Sequence, residues 1–118
     1  MAVLDELAVR AVERVIEDMR GRLAQPITID EMARVARFSK FHFCRVFHRH
    51  TGLPPARFLS SLRFAEARRL LATTSLNISD ISTRVGYHSP GTFSARFKTC
   101  VGVSPTQYRK SAKGIDHG

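Results

Sequence analysis

Residues 28–47, TIDEMARVARFSKFHFCRVF, decide the fold of this chain. Thr28 followed three residues later by Glu31 has the spacing of a capping box, in which the threonine side chain accepts a hydrogen bond from a free N–H at a helix start. Ser39 is a second N-terminal cap, so another helix begins only a few residues after the first one ends. Two short helices joined this closely, with alanines near their crossing, indicate a helix-turn-helix unit.

The same pattern recurs about 50 residues later. Ile29 and Met32 of the first copy correspond to Ile78 and Ile81, at an offset of 49 residues. One residue is inserted at the turn, and the offset is 50 from there on. The pairs at this second offset are Ser39 with Ser89, Phe43 with Phe93, Phe47 with Phe97, Gly52 with Gly102, Pro55 with Pro105, and Phe58 with Tyr108. The sequence therefore predicts an internal duplication, with two copies of one helix-turn-helix unit.

Amphipathic helices are predicted before and between the two copies. From Val3 to Leu23 apolar residues recur every three or four positions: Leu4, Leu7, Ala8, Ala11, Val15, Ile16 and Met19. A longer helix is predicted from Pro55 to Thr73, because proline is favoured in a first helical turn. Its apolar residues are Phe58, Leu59, Leu62, Ala65, Leu70 and Leu71. Its basic residues are Arg57, Arg63, Arg68 and Arg69. Arg63, Arg68 and Arg69 either bind phosphate or form only the solvated face of this helix, and some of them can pair with Glu66 instead of phosphate.

These elements predict an all-α fold of about seven helices, with two helix-turn-helix subdomains joined by a long linker helix. We expect the first subdomain over residues 1–54 and the linker helix over residues 55–74. The second subdomain is expected over residues 75–110, and a flexible tail over residues 111–118.

The helix predicted over residues 40–50 has two faces of different character. The stripe expected to face the core is Phe43, Val46, Phe47 and His50. The residues that remain to contact a partner are Lys40, Phe41, His42, Cys44, Arg45, His48 and Arg49. Phe41 belongs either to this outward set or to the core. Since the major groove of B-DNA admits one α-helix and presents hydrogen-bonding base edges, duplex DNA is the partner that this face suits.

The corresponding helix of the second copy, residues 90–101, is expected to direct Phe93, Phe97 and Val101 inward. Its candidate DNA-binding residues are Ser89, Pro90, Gly91, Thr92, Ser94, Ala95, Arg96 and Lys98. Arg96 either belongs to this set or folds back against the body of the domain. Because most of these side chains are small, we expect fewer contacts to base edges, and more to phosphates and thymine methyl groups.

The charge of the chain favours a polyanionic partner. Lys and Arg number 19 and Asp and Glu number 10, which gives a formal net charge of +9. Residues 1–39 carry 6 basic and 7 acidic side chains, whereas residues 40–118 carry 13 basic and 3 acidic ones. The basic excess therefore begins at the first candidate DNA-binding helix, which is consistent with nucleic acid as the partner.

Several other classes of protein are disfavoured. No apolar run approaches the length of a membrane span, and the N-terminus has no signal-peptide profile. Cys44 and His48 lie four residues apart, but a structural zinc site needs four converging ligands and no second pair follows. No nucleophile, base and orienting group form a recognisable set. We therefore expect no metal, no cofactor and no enzymatic activity, in a cytoplasmic protein with free thiols.

The order of helix-turn-helix unit, long helix and second unit resembles the AraC/XylS family of bacterial transcription regulators, over about residues 5–110. The segment ARRLLATTSLNISDISTRVGYHSPGTFSARFKTCVGVSPTQYR, residues 67–109, is similar to the family signature throughout. Arg37 stands where the family often has glycine, and Pro90 replaces a frequent polar residue. Cys44 and Ala95 occupy positions that often carry longer polar or basic side chains.

The resemblance implies a seven-helix unit that binds duplex DNA at promoters and adjusts transcription, often as an activator that touches RNA polymerase. It implies base contacts from Phe41, Cys44 and Arg45 in the first copy. In the second copy the corresponding positions are Gly91, Thr92, Ser94 and Ala95. The expected location is the bacterial cytoplasm, with association to the nucleoid when the protein is bound to DNA.

Two candidate DNA-binding helices in one chain allow a monomer to bind an asymmetric site. Successive major-groove segments on one face of a duplex lie roughly 34 Å apart, and the linker helix, at about 1.5 Å per residue, is about 28 Å long. Two alternatives remain. In the first alternative, the chain is a helical module that binds an acidic protein. In the second, it is the DNA-targeting module of a larger regulator or repair enzyme.

Overall fold

The computed structural model describes residues 2–114, with side chains from residue 6 onward. All regular secondary structure in this range is α-helical, which confirms the predicted fold class. The helices are α1 (Ala2–Gly21), α2 (Ile29–Ala36), α3 (Lys40–Thr51), α4 (Pro55–Thr73), α5 (Ile78–Arg84), α6 (Pro90–Val101) and α7 (Pro105–Ala112). Helix α7 includes the first two residues of the expected tail, and residues 115–118 of that tail lie outside the described range. None of the helices within residues 2–114 combines the length and apolar character that crossing a bilayer requires.

The chain forms two compact units, with the boundary between Ser61 and Leu62, inside α4. The first unit consists of α1, α2, α3 and the start of α4, and its buried apolar residues are Ala11, Val12, Val15, Met19, Met32, Ala33, Ala36, Phe43, Val46, Phe47 and Leu59. The second unit consists of the rest of α4 with α5, α6 and α7, and its core is Phe64, Ala67, Leu70, Leu71, Ile81, Val85, Phe93 and Phe97. Each unit therefore has a hydrophobic core of its own.

Aromatic contacts show the duplication in three dimensions. The ring centroids of Phe43 and Phe47 in α3 are 5.5 Å apart, and those of the corresponding pair in α6 are 5.7 Å apart. Phe47 meets Phe58 edge-on at 5.3 Å in the first unit, and Phe97 meets Tyr108 edge-on at 5.8 Å in the second. These are favourable geometries for aromatic pairs. Each outward-facing helix is thus anchored by the same three-ring arrangement.

The two turns are closed by equivalent backbone hydrogen bonds. The N–H of Phe38 donates to the carbonyl of Ala33 at 3.0 Å, and the N–H of Tyr87 donates to the carbonyl of Ser82 at 2.9 Å. Each bond spans five residues and satisfies a carbonyl in the last turn of the preceding helix, as in a Schellman motif. The donors and the acceptors are both separated by 49 residues, which is the offset found in the sequence.

The residue before each of these donors has a left-handed backbone, and here the two copies differ. Arg37 has φ +63° and Gly86 has φ +94°. A side chain in this conformation is strained, whereas glycine is not. Replacing the exposed Arg37 with glycine is therefore expected to raise the free energy of unfolding, by about 1 kcal/mol. Urea denaturation of parent and variant measures this difference.

The matched control is Arg34→Gly, because Arg34 is also exposed but lies within α2. There glycine is expected to lower the free energy of unfolding by about 1 kcal/mol. Equal losses of stability in the two variants would contradict the left-handed conformation of Arg37.

Some positions differ from the prediction. Leu7 in α1 is 54% exposed, whereas Val12, which was not assigned to the apolar face, is buried. His50 was expected to face the core but is exposed, because the buried stripe of α3 ends at Phe47 and His50 lies in the last turn. In α4, Ala65 is exposed.

The error in α4 has a physical cause. This helix contributes Leu59 to the core of the first unit, and Phe64, Ala67, Leu70 and Leu71 to the core of the second. Its buried residues are therefore set by two separate cores, and a single apolar stripe along its whole length does not describe them. Phe64 and Ala67, absent from the predicted apolar set, are central to the second core.

Candidate nucleic-acid interface

Helix α3 is held in place by its caps and by its buried side. The side-chain oxygen of Ser39 accepts a hydrogen bond from the N–H of His42 at 3.2 Å, and Gly52 ends the helix with φ +79°. Phe43, Val46 and Phe47 are buried. The candidate DNA-binding residues that are exposed are Lys40, Phe41, His42, Arg45, His48 and Arg49, and Cys44 is half-buried. The face opposite the core is therefore polar and basic, with one aromatic ring.

That ring is Phe41, which is 72% exposed, so it belongs to the outward set and not to the core. The guanidinium carbon of Arg45, one helical turn away, lies 5.4 Å from the centre of the Phe41 ring. A cation–π contact of this kind restrains the orientation of the guanidinium group. The pair offers an apolar surface for thymine methyl groups beside a planar donor group suited to the O6 and N7 atoms of guanine.

Two of the flanking side chains have neighbours within the first unit. The ammonium group of Lys40 lies 3.4 Å from a carboxylate oxygen of Asp30, with both side chains well exposed. Such a pair contributes little in water and can be exchanged for a phosphate contact. The ring of His42 meets Phe38 edge-on, with centroids 4.6 Å apart. Lys40 is thus available to bind phosphate, and His42 is held at the edge of the face.

Helix α6 is positioned in the same way. The side-chain oxygen of Ser89 accepts from the N–H of Thr92 at 3.3 Å, and Gly102 ends the helix with φ +101°. Phe93 and Phe97 are fully buried. The exposed candidates are Ser89, Pro90, Gly91, Thr92, Ala95, Arg96 and Lys98, and Ser94 is half-buried. The exposure of Arg96 disfavours the alternative in which its side chain folds back against the domain.

The two outward faces differ at equivalent positions. The places of Phe41 and Arg45 in α3 are taken in α6 by Gly91 and Ala95, at the offset of 50 residues. Helix α3 therefore presents long side chains with hydrogen-bond donors. Helix α6 presents a shallow surface on which its backbone is less covered by side chains.

The arginines of α4 have different surroundings. The guanidinium group of Arg69 donates two hydrogen bonds to the carboxylate of Glu66, both at 2.8 Å, and these bonds lower the pKa of Glu66. Burial lowers the pKa of Arg63, and its interaction with Tyr87 opposes this effect. Arg57 and Arg68 are exposed. The expected alternative of pairing with Glu66 therefore applies to Arg69.

Two cations that sequence reasoning did not assign have a structural role. Arg109 donates to the carbonyl oxygens of Leu71 at 3.1 Å and Thr74 at 3.2 Å, and Lys113 donates to the Thr74 oxygen at 2.8 Å. Carbonyl groups at a helix C-terminus have no partner within the helix, and cationic side chains satisfy them favourably. Two of the basic side chains of residues 40–118, those of Arg109 and Lys113, therefore stabilise the second unit through these hydrogen bonds. Arg109 ends the SPTQYR segment, but its carbonyl partners lie 35 and 38 residues earlier in the chain, so local sequence does not reveal this role.

In the first unit, Arg22 joins α1 to α2. Its guanidinium group lies 3.0 Å from the carboxylate of Asp18 and 2.8 Å from that of Glu31. The hydrogen bond from Arg22 lowers the pKa of Glu31, and the bond from the capping box acts in the same direction. Glu31 therefore both caps α2, as predicted, and links it to α1.

A metal site finds no support in the described part of the chain. Within residues 6–114 no three His, Cys, Asp or Glu side chains are grouped so that they could hold a metal ion. Cys44 and Cys100 are free cysteines, the first half-buried and the second exposed.

Comparison with known proteins gives consistent results. A family model described as a helix-turn-helix domain matches residues 32–111. The HTH-type transcriptional activator AarP of Providencia stuartii is 31% identical over 105 residues, covering 89% of this chain and 78% of AarP. The lactose operon transcription activator of Staphylococcus xylosus is 30% identical over 98 residues, covering 83% of this chain but only 35% of that protein. The DNA-binding domain of the global transcriptional factor AdpA, solved in complex with a target DNA, aligns with a TM-score of 0.83 and 27% identity, over 89% of this chain and 95% of that one.

Proposed function

This chain belongs to the AraC family of DNA-binding helix-turn-helix transcription regulators, and on that premise we propose that α3 and α6 enter successive major-groove segments of one duplex. The observation that carries the proposal is the division of α3 into a buried aromatic side and an exposed basic side. A helix anchored in this way fits the groove, with donors directed at base edges.

The residues of α3 supply most of the sequence preference in this proposal. Arg45 contacts a guanine, Phe41 contacts a thymine methyl group or sugar, and Cys44 packs beside them. Lys40, His48 and Arg49 bind phosphates, with His42 at the edge of the interface. Phosphate contacts fix the position of the helix, whereas base contacts provide the specificity.

Helix α6 contributes differently. Ser89, Pro90 and Thr92 lie at its N-terminus, where the positive end of the helix dipole favours a phosphate. Arg96 and Lys98 add positive charge, and Gly91, Ser94 and Ala95 contact the groove through small surfaces. We therefore propose that the second half-site is specified less strongly than the first.

A single chain binds both half-sites, so no dimer is required. Residues 55–74 act as the linker between a first subdomain, residues 1–54, and a second, residues 75–110. The length of α4, 19 residues, supports this role, because it is of the same scale as one turn of B-DNA, roughly 34 Å. The chain is proposed to act in the bacterial cytoplasm, bound to promoter DNA and without catalytic activity.

Activation of transcription, through contact with RNA polymerase, is the proposed outcome of binding. Its support is that AarP and the lactose operon protein are both named as activators. Because the chain spans 35% of the latter protein, the alternative in which it is the DNA-targeting part of a larger regulator is retained.

The test is selection of bound duplexes from a random pool by the purified chain. We expect a bipartite motif, with the more sharply specified part assigned to α3. Affinity for the selected duplex should fall by about 100-fold or more between 50 and 200 mM salt, because several phosphates are neutralised and counterions are released. The selected duplexes reveal the motif, and titrations monitored by fluorescence anisotropy measure the salt dependence of the affinity.

The control is a duplex of the same length and composition with a scrambled sequence. A helical module that binds an acidic protein would show a comparable salt dependence but no preference between the two duplexes. Equal affinities for them at all salt concentrations would therefore contradict sequence-specific binding.

A further inference from the structure

Gly91 is a glycine that the fold of the second unit does not require. Gly102, which ends the same helix, has φ +101°, a conformation that favours glycine. Gly91 has no such positive φ, and a Cβ atom placed on it would have Ser89 Oγ as its nearest neighbour, at 3.6 Å. That distance is an ordinary van der Waals contact. Alanine would therefore fit, and would favour the helix over glycine.

The space beside Gly91 opens to the outside of the molecule. Gly91 is exposed, as are Ala95 one turn later and Lys98 on the same side of α6. Phe93 and Phe97 occupy the opposite, buried side. Apart from Ser89 Oγ, no atom beyond the helix backbone and the two chain neighbours lies within 4 Å of a Cβ added at residue 91.

Comparison with the first copy indicates what this opening does. At the same place in α3 stands Phe41, the most exposed large apolar side chain of residues 6–114, followed one turn later by Arg45. Helix α3 therefore meets a partner through side chains. At its equivalent positions, α6 offers only the backbone of Gly91 and the methyl group of Ala95.

We propose that Gly91 is a positioning residue that determines how closely α6 approaches duplex DNA. Its missing side chain allows the groove edge to contact the backbone of the first turn of α6 directly. Glycine at this position makes the helix less stable than alanine would, but it allows closer contact with DNA. This inference rests on the proposed function, and adds to it the residue that governs the depth of the second helix.

The test combines thermal stability with DNA affinity in the variant Gly91→Ala. Its melting temperature should rise by a few degrees, because alanine favours the helix. Its Kd for the duplex that the parent chain selects from a random pool should increase by about 10-fold, because one methyl group obstructs a close contact. Gly91→Leu, with a larger side chain, should weaken binding further.

The matched control is Gly21→Ala. Gly21 is the last residue of α1 and, like Gly91, is exposed and has no positive φ; no atom beyond the helix backbone and its chain neighbours lies within 4 Å of a Cβ added to it. It lies outside both candidate DNA-binding helices, so this variant should gain stability without any change in Kd.

The proposal is wrong if the Kd of Gly91→Ala equals that of the parent, or if this variant is less stable than the parent. If Gly21→Ala weakens binding as much as Gly91→Ala, the loss does not depend on the position of Gly91 and the proposal also fails. A parent chain that prefers no duplex over random competitor overturns the proposed function as well. That failure is distinguishable, because it appears in the parent and not only in the variants.

Discussion

Replacing Phe97 with alanine is expected to lower the free energy of unfolding of the second unit by about 3–5 kcal/mol. The ring of Phe97 is fully buried. It lies 5.7 Å from the ring of Phe93, 6.1 Å from that of Phe64 and 5.8 Å from that of Tyr108. Truncation therefore removes three aromatic contacts and leaves a cavity at the point where α4, α6 and α7 meet. Few single substitutions elsewhere in the chain should cost as much.

The aromatic composition makes this measurement selective. The chain has no tryptophan, and its two tyrosines, Tyr87 and Tyr108, both lie in the second unit. Tyrosine fluorescence during urea denaturation therefore reports on the second unit, whereas circular dichroism reports on the helices of both. Phe97→Ala should shift the fluorescence transition to a much lower urea concentration.

The control for this prediction is Arg96→Ala, a change at the adjacent exposed residue. It should alter the free energy of unfolding by no more than about 0.5 kcal/mol. A Phe97→Ala variant that unfolds at the same urea concentration as Arg96→Ala would contradict the central place of Phe97 in the second core.

Features determined by neighbouring residues were predictable from the sequence. The caps at Thr28, Ser39 and Ser89 were identified from the residue type and the position before an apolar pattern, and each accepts the expected hydrogen bond. The duplication was visible because both copies retain the same aromatic and glycine positions. The exposed face of α3 followed from helical spacing once Phe43 and Phe47 were assigned to the core.

Features determined by distant residues were not predictable in the same way. The roles of Arg22 and Arg109 depend on carboxylates or carbonyl groups brought near them by folding, since Arg109 bonds to a residue 38 positions away. The buried side of α4 depends on two cores that act on one helix. For the candidate interface, helical spacing alone could not decide whether Phe41 was buried. Its exposure and its contact with Arg45 emerge only from the packing of the first unit.

Arg45→Ala is expected to weaken binding to the selected duplex by about 1–3 kcal/mol, since the proposed bidentate contact to guanine is lost. The loss should be concentrated at one base pair of the first half-site, where the variant no longer prefers guanine. The fold should be unaffected, because Arg45 is exposed and its contact is with the equally exposed Phe41. Binding titrations against four duplexes that differ only at that base pair measure the change in preference.

The matched control is Arg49→Ala, one turn further along the same helix and also exposed. If Arg49 binds phosphate, its loss should weaken binding to all four duplexes equally, and should reduce the salt dependence by about one counterion. The two arginines carry the same charge on the same helix, so the comparison separates base recognition from electrostatic attraction. If Arg45→Ala also weakens binding to all four duplexes equally, Arg45 contacts phosphate, and the sequence preference of α3 must come from other residues.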